Sequence, residues 1–246
     1  MARGRSSEDF ERGERDLREL PEVELLGLLR RSSNYTFLAR LKGAGDELLA
    51  VYKPAGGESP LWDFPDGTLY LREVAAYRLA RFLGWPLVPP TIVRESAPHG
   101  VGAMQLFVDA QADRHYLNPG RLPTLRWLEV AIFDVLVNNA DRKSGHCLVD
   151  ASEKLWVIDH GLTFHTEPKL RTVIWDFSGH RVPGRLREDL ARAAASLAGG
   201  ALAVSLGDLL ARAEVAMLRR RLAAMLSPGW QLPTPTSAWS VPWPPV

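Results

Sequence analysis

Two aspartates, Asp141 and Asp159, each stand just past a short apolar run, and the residues between them carry the chemistry most readily read from this chain. A turn-rich Lys143-Ser144-Gly145-His146 leads into Cys147-Leu148-Val149, then a polar turn over 150–154, then Leu155-Trp156-Val157-Ile158. Two short apolar runs around a polar turn predict a β-hairpin. A hairpin sets its two ends side by side, so both carboxylates are expected at one end, within reach of one ligand. Phosphoryl transfer needs that arrangement: one carboxylate orients or deprotonates the acceptor, and a second holds the magnesium that bridges the phosphates. Taken singly, each motif also suits a plain loop, Asp141-Arg142 as a surface ion pair and Ile158-Asp159-His160-Gly161 as a turn after a strand. Their joint spacing and the upstream residues favour the catalytic reading.

Four upstream features belong with it. Lys53 ends an apolar strand just before Pro54, where it is partly shielded and needs an anionic partner, unless it snorkels from an edge strand. Glu73 lies in the first turns of an amphipathic segment, where it either favours the helix dipole or pairs with Lys53 and holds the ammonium on the phosphates. The polar turn at Ser32 and Ser33 offers hydroxyls and backbone N–H groups to an anion, or is an ordinary turn. Asp134 sits inside an apolar helix and therefore demands a partner, with Arg142 or the following loop as the candidate.

The elements that must position these residues follow from periodicity. Residues 1–18 are charged and read as a disordered lead-in. Residues 21–31 suit a short helix or a first strand, and two runs around the turn at 43–46 predict a hairpin ending at Lys53. A Gly/Pro/Ser loop precedes a helix over 69–83 stopped by Gly84. Residues 87–93, with two prolines, read as an edge strand, and 102–108 as another strand. The polar stretch 109–115 reads as a hinge. A helix over 125–137 delivers the chain to Asn138-Asn139-Ala140-Asp141, and helices over 186–197 and 202–226 follow. Residues 227–246 hold Trp230, Trp239 and Trp243 among six prolines. That tail either packs its tryptophans or forms a partner-binding arm; exposed indoles invite aggregation, which favours packing.

In this order the features resemble the phosphatidylinositol 3-/4-kinase-like group of the kinase superfamily, most closely the type II phosphatidylinositol 4-kinases, and a small actinobacterial kinase-like family. The resemblance spans roughly residues 25–180. It rests on the Ser32-Ser33 turn, Val51-Tyr52-Lys53-Pro54, Arg72-Glu73, Val88-Pro89-Pro90-Thr91, Gln105-Leu106-Phe107-Val108, Asp134 with Asn138 to Arg142, and Ile158 to Phe164, the last two being the specific ones. It implies an α+β, bilobal protein-kinase-like fold, with a small β-rich N-lobe over 19–108 and a mostly helical C-lobe over 109–226. ATP would lie in the cleft, its adenine against Gln105, Phe107 and Val108, with Ser32, Ser33, Lys53 and Glu73 about the phosphates. Asp141 would orient the acceptor hydroxyl with Arg142 beside it, and Asp159 would bind magnesium.

Two departures stand out. His146 occupies the place where the family carries a metal-binding asparagine. Magnesium prefers oxygen to imidazole, so His146 is expected to contact phosphate or to bring in manganese, and a pseudokinase scaffold is the alternative. A third outcome is transfer of AMP in place of phosphate. The stretch 56–68, where lipid-anchored relatives carry palmitoylated cysteines, has none, which speaks against a lipid acceptor and leaves a protein or a small molecule open beside it. The basic residues of 165–185, Lys169 and Arg171 among them, suit either an anionic head group or a solvated loop.

The whole chain sets the bounds. Its 246 residues suit one large domain or two lobes, and a net charge of +1 speaks against bulk nucleic-acid binding. The single cysteine, Cys147, leaves no internal disulfide, and with a charged N-terminus lacking an apolar core it predicts a reducing cytoplasm. No apolar run approaches the roughly 20 residues a membrane span requires.

Overall fold

The computed structural model describes residues 2–29, 34–120 and 122–246. It is an α+β structure: a five-stranded antiparallel sheet from the first half of the chain, and helices with a two-stranded hairpin from the second. The sheet is built from β1 (Glu22–Leu28), β2 (Phe37–Gly43), β3 (Asp46–Pro54), β4 (Thr91–Arg94) and β5 (Gly102–Leu106), in the order β1-β2-β3-β5-β4. The 21–31 stretch thus resolves as a strand over its described part. β4 lies at the sheet edge, where Pro89 and Pro90 leading into it remove no ladder bond.

The lead-in is not the disordered segment its charge predicts. Residues Ala2–Glu19 form helix α1. Phe10 and Leu17 are 2 % and 0 % exposed, a sparse stripe in which Leu17 packs on the sheet and Phe10 stacks against Tyr77 and Trp156. Gly13 continues that stripe, and a Cβ there would come within 2.9 Å of the Pro90 ring, so only a glycine allows this approach. The Arg94 guanidinium closes the C-terminal end of α1, donating to the carbonyls of Leu17, Arg18 and Leu20 at 2.8–2.9 Å.

Helix α2 (Leu69–Leu83) is started by the Glu58 carboxylate, which accepts from the Leu69 and Tyr70 N–H groups at 3.0 and 2.8 Å. Gly84, at φ 75°, ends it. Buried Arg72 pairs with Glu214 and ties α2 to the last long helix of the chain. Helix α3 (Thr124–Val137) is apolar on almost every face and runs through the large core. After the hairpin β6 (Cys147–Val149) and β7 (Leu155–Val157) come α4 (Gly184–Leu197), α5 (Ala201–Gly207) and α6 (Arg212–Met225). The single helix expected over 202–226 is therefore two: the chain breaks after Gly207 so that Leu209 and Leu210 can turn into the core. The 109–115 stretch is irregular and leans on the hairpin, Gln111 N–H donating to the Val149 carbonyl at 2.9 Å.

Two apolar clusters result. A small one (Leu17, Leu41, Tyr52, Ile92, Met104 and neighbours) joins α1 to the sheet. A large one joins α2, α3, the hairpin and α4–α6. The tail packs differently from expectation: of its three tryptophans only Trp230 rests on the large core, which buried Leu232 also joins, while Trp239 and Trp243 are 80 % and 85 % exposed. Backbone hydrogen bonds also hold it, beginning with Leu232 to His180 and Gly179. Among the described residues no single helix is long and apolar enough to cross a membrane.

Candidate active site

The hairpin delivers the two aspartates as its pattern requires. Cys147 pairs with Val157 and Val149 with Leu155, and the Ile158 N–H reaches the His146 carbonyl at 3.0 Å, so the strand ends meet. Asp150 holds the turn by accepting from the Ser152 and Lys154 N–H groups and the Trp156 indole, at 2.8–3.0 Å.

The loop before it is fixed from inside. α3 ends at Asn138 in the left-handed conformation, φ 54°, and the Asn138 amide donates to the His165 and Glu167 carbonyls. Asn139 donates to Asp134 at 3.0 Å and accepts from the Asp141 N–H at 3.0 Å. Asp134 and Arg142 are both 0 % exposed and meet at 3.1 Å. Arg142 also donates to the Ile158 carbonyl at 2.7 Å and to His160 Nε2 at 2.8 Å. Burial, followed by the Arg142 cation, pushes the His160 imidazole well below its ordinary pKa, so the ring is neutral and accepts from the guanidinium. Arg142, grouped with the catalytic residues in the sequence, has no surface toward the cleft; it acts by locking both aspartate-bearing loops together.

Lys53, Glu73 and Asp159 converge from β3, α2 and the end of the hairpin. The Lys53 ammonium contacts Glu73 Oε1 and lies 2.9 Å from Asp159 Oδ1. Glu73 Oε2 accepts the His160 N–H at 2.9 Å, which keys α2 to the Asp159 loop. Burial alone would lower the Lys53 pKa, but Asp159 and Glu73 more than reverse it and the ammonium stays charged. Asp159 is held well below the usual carboxylate range, first by Lys53, although its side chain is 47 % exposed. Its backbone sits at φ 62°, a left-handed conformation that non-glycine residues reach at a cost.

His146 Nε2 lies 3.3 Å from Asp159 Oδ2, and its Nδ1 accepts the Lys143 N–H at 3.4 Å. That pair of contacts places the ring proton on Nε2, directed at the carboxylate. Burial lowers the His146 pKa and Asp159 only partly opposes it, so the ring is neutral. Asp141 pairs with Lys143 at 3.0 Å. Lys53, Glu73, Asp141, Lys143, His146 and Asp159 line one cavity of about 220 Å³, together with Tyr35 and Thr36 from the β1–β2 side. A larger, more open groove of about 880 Å³ beside Trp85, Lys154 and Arg185 lies apart from these groups.

Not every expected site residue is here. Ser32 and Ser33 lie outside the described residues. Gln105, Phe107 and Val108 do not line the cavity: the Gln105 side chain is buried and donates to Thr91 Oγ1 at 2.8 Å, and the Phe107 N–H donates to the Leu49 carbonyl. Sequence reasoning missed Glu58 as the group that starts α2 and Lys143 as the partner of Asp141. The second was visible in the i, i+2 spacing of opposite charges.

No family model matches the chain. Protein Rv2133c of Mycobacterium tuberculosis is 39 % identical over 258 residues, an alignment that takes in 91 % of this chain and 92 % of Rv2133c. Phosphatidylinositol 4-kinase gamma 4 of Oryza sativa subsp. japonica is 32 % identical over 157 residues, and phosphatidylinositol 4-kinase gamma 2 of Arabidopsis thaliana 28 % over 171. Each of these takes in 54 % of this chain but only 28 % and 31 % of the plant proteins' own length. Among solved structures, the Helicobacter pylori proinflammatory kinase CtkA superposes at a TM-score of 0.48 with 12 % identity, over 83 % of this chain and 91 % of that one. By identity across nearly its whole length, the chain belongs to the family of Mycobacterium tuberculosis Rv2133c.

Proposed function

We propose that this protein is an ATP- and metal-dependent phosphotransferase of the bilobal kinase-like type, moving the γ-phosphate of ATP to a hydroxyl of a lipid, protein or small-molecule acceptor. The observation that carries the reading is the Lys53 ammonium held between Glu73 and Asp159 at a cavity that Asp141 also lines. The likeness of about half the chain to two plant phosphatidylinositol 4-kinases supports the same chemistry.

The donor set fits a hard divalent cation, which takes one or two protein carboxylates and completes its shell with phosphate oxygens and water. Asp159 would hold it, and the ion would neutralise charge on the phosphates. Lys53 contributes a preorganised positive charge, and Glu73 keeps it aimed into the cavity. Asp141 is free to orient the acceptor hydroxyl once Lys143 turns from it toward an anionic ligand. His146 would join the metal only if its Nε2 proton left, a condition that suits manganese better than magnesium.

A second reading, a nucleotide-binding scaffold without turnover, is favoured by one observation: both Asp159 oxygens already carry a partner, Lys53 on one and His146 on the other, so a cation must share each oxygen with a group already in place. Calorimetric titration of ATP with magnesium and then manganese, into the wild type and Asp159→Ala, tests the site. Metal-dependent binding lost in the variant is expected, with manganese at least as effective as magnesium. No binding to a well-folded protein with either metal overturns the reading. The mass added to an acceptor then separates phosphate from AMP transfer.

A further inference from the structure

The geometry points to residues 237–246 as a strap that positions the turn at residues 143–146, and with it Asp141, Lys143 and His146. Its role in turnover rests on the phosphotransfer reading above; its hold on the turn does not.

The argument starts from the extended segment at 171–173. Successive backbone groups of an extended chain point to opposite sides. Arg171 O and Val173 N face one side and bond Arg142, at 3.0 and 3.1 Å, making a short parallel bridge to the loop that carries Asp141. Thr172 N faces the other side and donates to the Ser240 carbonyl at 3.0 Å. The Trp175 indole donates to that same carbonyl at 3.2 Å, and Arg171 Nε to the Trp239 carbonyl at 3.1 Å. The segment is thus a middle layer between Arg142 and the strap.

The strap then returns to the catalytic side. The Pro245 carbonyl accepts the Ser144 N–H at 2.7 Å, and Gly145 lies against Val246. Ser144 is 0 % exposed. Its hydroxyl lies 2.7 Å from His115 Nδ1 and accepts the Leu117 N–H at 3.2 Å. Ser144 is therefore pinned by its side chain to the 115–117 segment and by its backbone to the strap. Lys143 and His146 lie one and two residues away, and His146 is the group that touches Asp159 Oδ2.

The strap's composition suits this task. Pro242, Pro244 and Pro245 have no N–H, so they offer only acceptors, and Ser144 supplies the donor. Fixed proline φ angles leave less freedom to lose on docking. A turn at 237–240 is closed by its own serines: Ser240 Oγ accepts the Thr236 N–H and Ser237 Oγ the Trp239 N–H. The indoles of Trp239 and Trp243 point outward and play no part in the attachment.

Hydrogen exchange and steady-state kinetics on a chain lacking residues 237–246 test the strap. The Ser144 and Thr172 amides are expected to exchange at least about tenfold faster. Metal-dependent ATP affinity should stay within about twofold, and turnover should fall at least about tenfold at unchanged KM for ATP, as for a mispositioned catalytic group. A synthetic peptide of residues 232–246 added in trans should restore both. Trp239→Ala with Trp243→Ala in the full chain should change neither. If the shortened chain does not fold, two glycines inserted between Val241 and Pro242 of the full chain shift only the second anchor. Ser144 should then exchange faster while Thr172 stays protected. Unchanged exchange at Ser144 in these variants overturns the strap. Faster exchange at Ser144 with full turnover overturns its positioning role. Faster exchange with no turnover in any protein, wild type included, sinks the phosphotransferase reading and leaves the hold on the turn established.

Discussion

At the residue scale, one buried cation organises the site without lining its cavity. Arg142 stands next to Asp141 in sequence, yet its side chain turns inward to Asp134, Ile158 and His160. The reason is electrostatic: Asp134 is wholly buried in an apolar helix, and a buried carboxylate without a partner is far costlier than a solvated arginine left on a surface. Arg142→Met should therefore cost roughly 3–5 kcal/mol of stability, because Asp134 is left unpaired. Pairing it with Asp134→Leu should recover part of that loss. Chemical denaturation of the two variants measures this; a variant that loses turnover at full stability would instead give Arg142 a direct catalytic part. The spacing Asp-x7-Arg from α3 into the loop was readable in the chain, and Arg142 was rightly suspected as the partner. Its total burial was not readable, because that depends on which loop packs over it.

At the scale of elements, α1 is the clearest case of tertiary context overriding composition. Its residues are mostly charged, and its apolar stripe is only Phe10, Leu17 and, just past its end, Leu20. Such a helix has no stability of its own and exists because the sheet edge, Pro90 and Arg94 receive it. Leu17→Ala should destabilise the protein by about 3 kcal/mol, a typical cost of emptying a buried leucine site. A disordered lead-in would show no change in the same urea titration. α1 also meets the hairpin: Lys154 lies 4.6 Å over the Phe10 ring and 3.4 Å over the Trp156 ring. Burial lowers its pKa from 10.5 to about 8, with Asp150 and Asp9 opposing only in part. Between those values the unfolded chain holds this proton and the folded one does not, so this group adds stability as pH rises from about 8 toward 10.5 and withdraws it as pH falls back through 8. Melting temperatures across that window should rise less steeply in Lys154→Met than in the wild type.

At the scale of the whole molecule, the single cysteine reports on integrity. Cys147 starts β6, is 0 % exposed, and burial pushes its thiol up to about 12. Thiolate chemistry at neutral pH is therefore closed to it in the folded state. Labelling by a thiol reagent should proceed only as fast as the core around the hairpin opens, and on the proposed function added ATP with a divalent metal should slow it further by mass action. Rapid labelling of the folded protein would contradict the packing of that core.

Several features were fixed within reach of the sequence alone. The hairpin, the helix carrying Glu73, the edge character of β4 and the convergence of Asp141 with Asp159 all follow from local periodicity and turn chemistry, which act over a few residues and leave a pattern in the chain. The Lys53–Glu73 pairing was open between two physical readings, and only the packing of α2 against the sheet chose one. The break between α5 and α6, the outward tryptophans, the inward Gln105 and the hold of Pro245 on Ser144 left no pattern to read. Each depends on backbone carbonyls or on competing burial elsewhere, and a carbonyl is the same at every residue. Local structure is written in side-chain order; which backbone atom meets which is decided only when distant segments compete for the same surface.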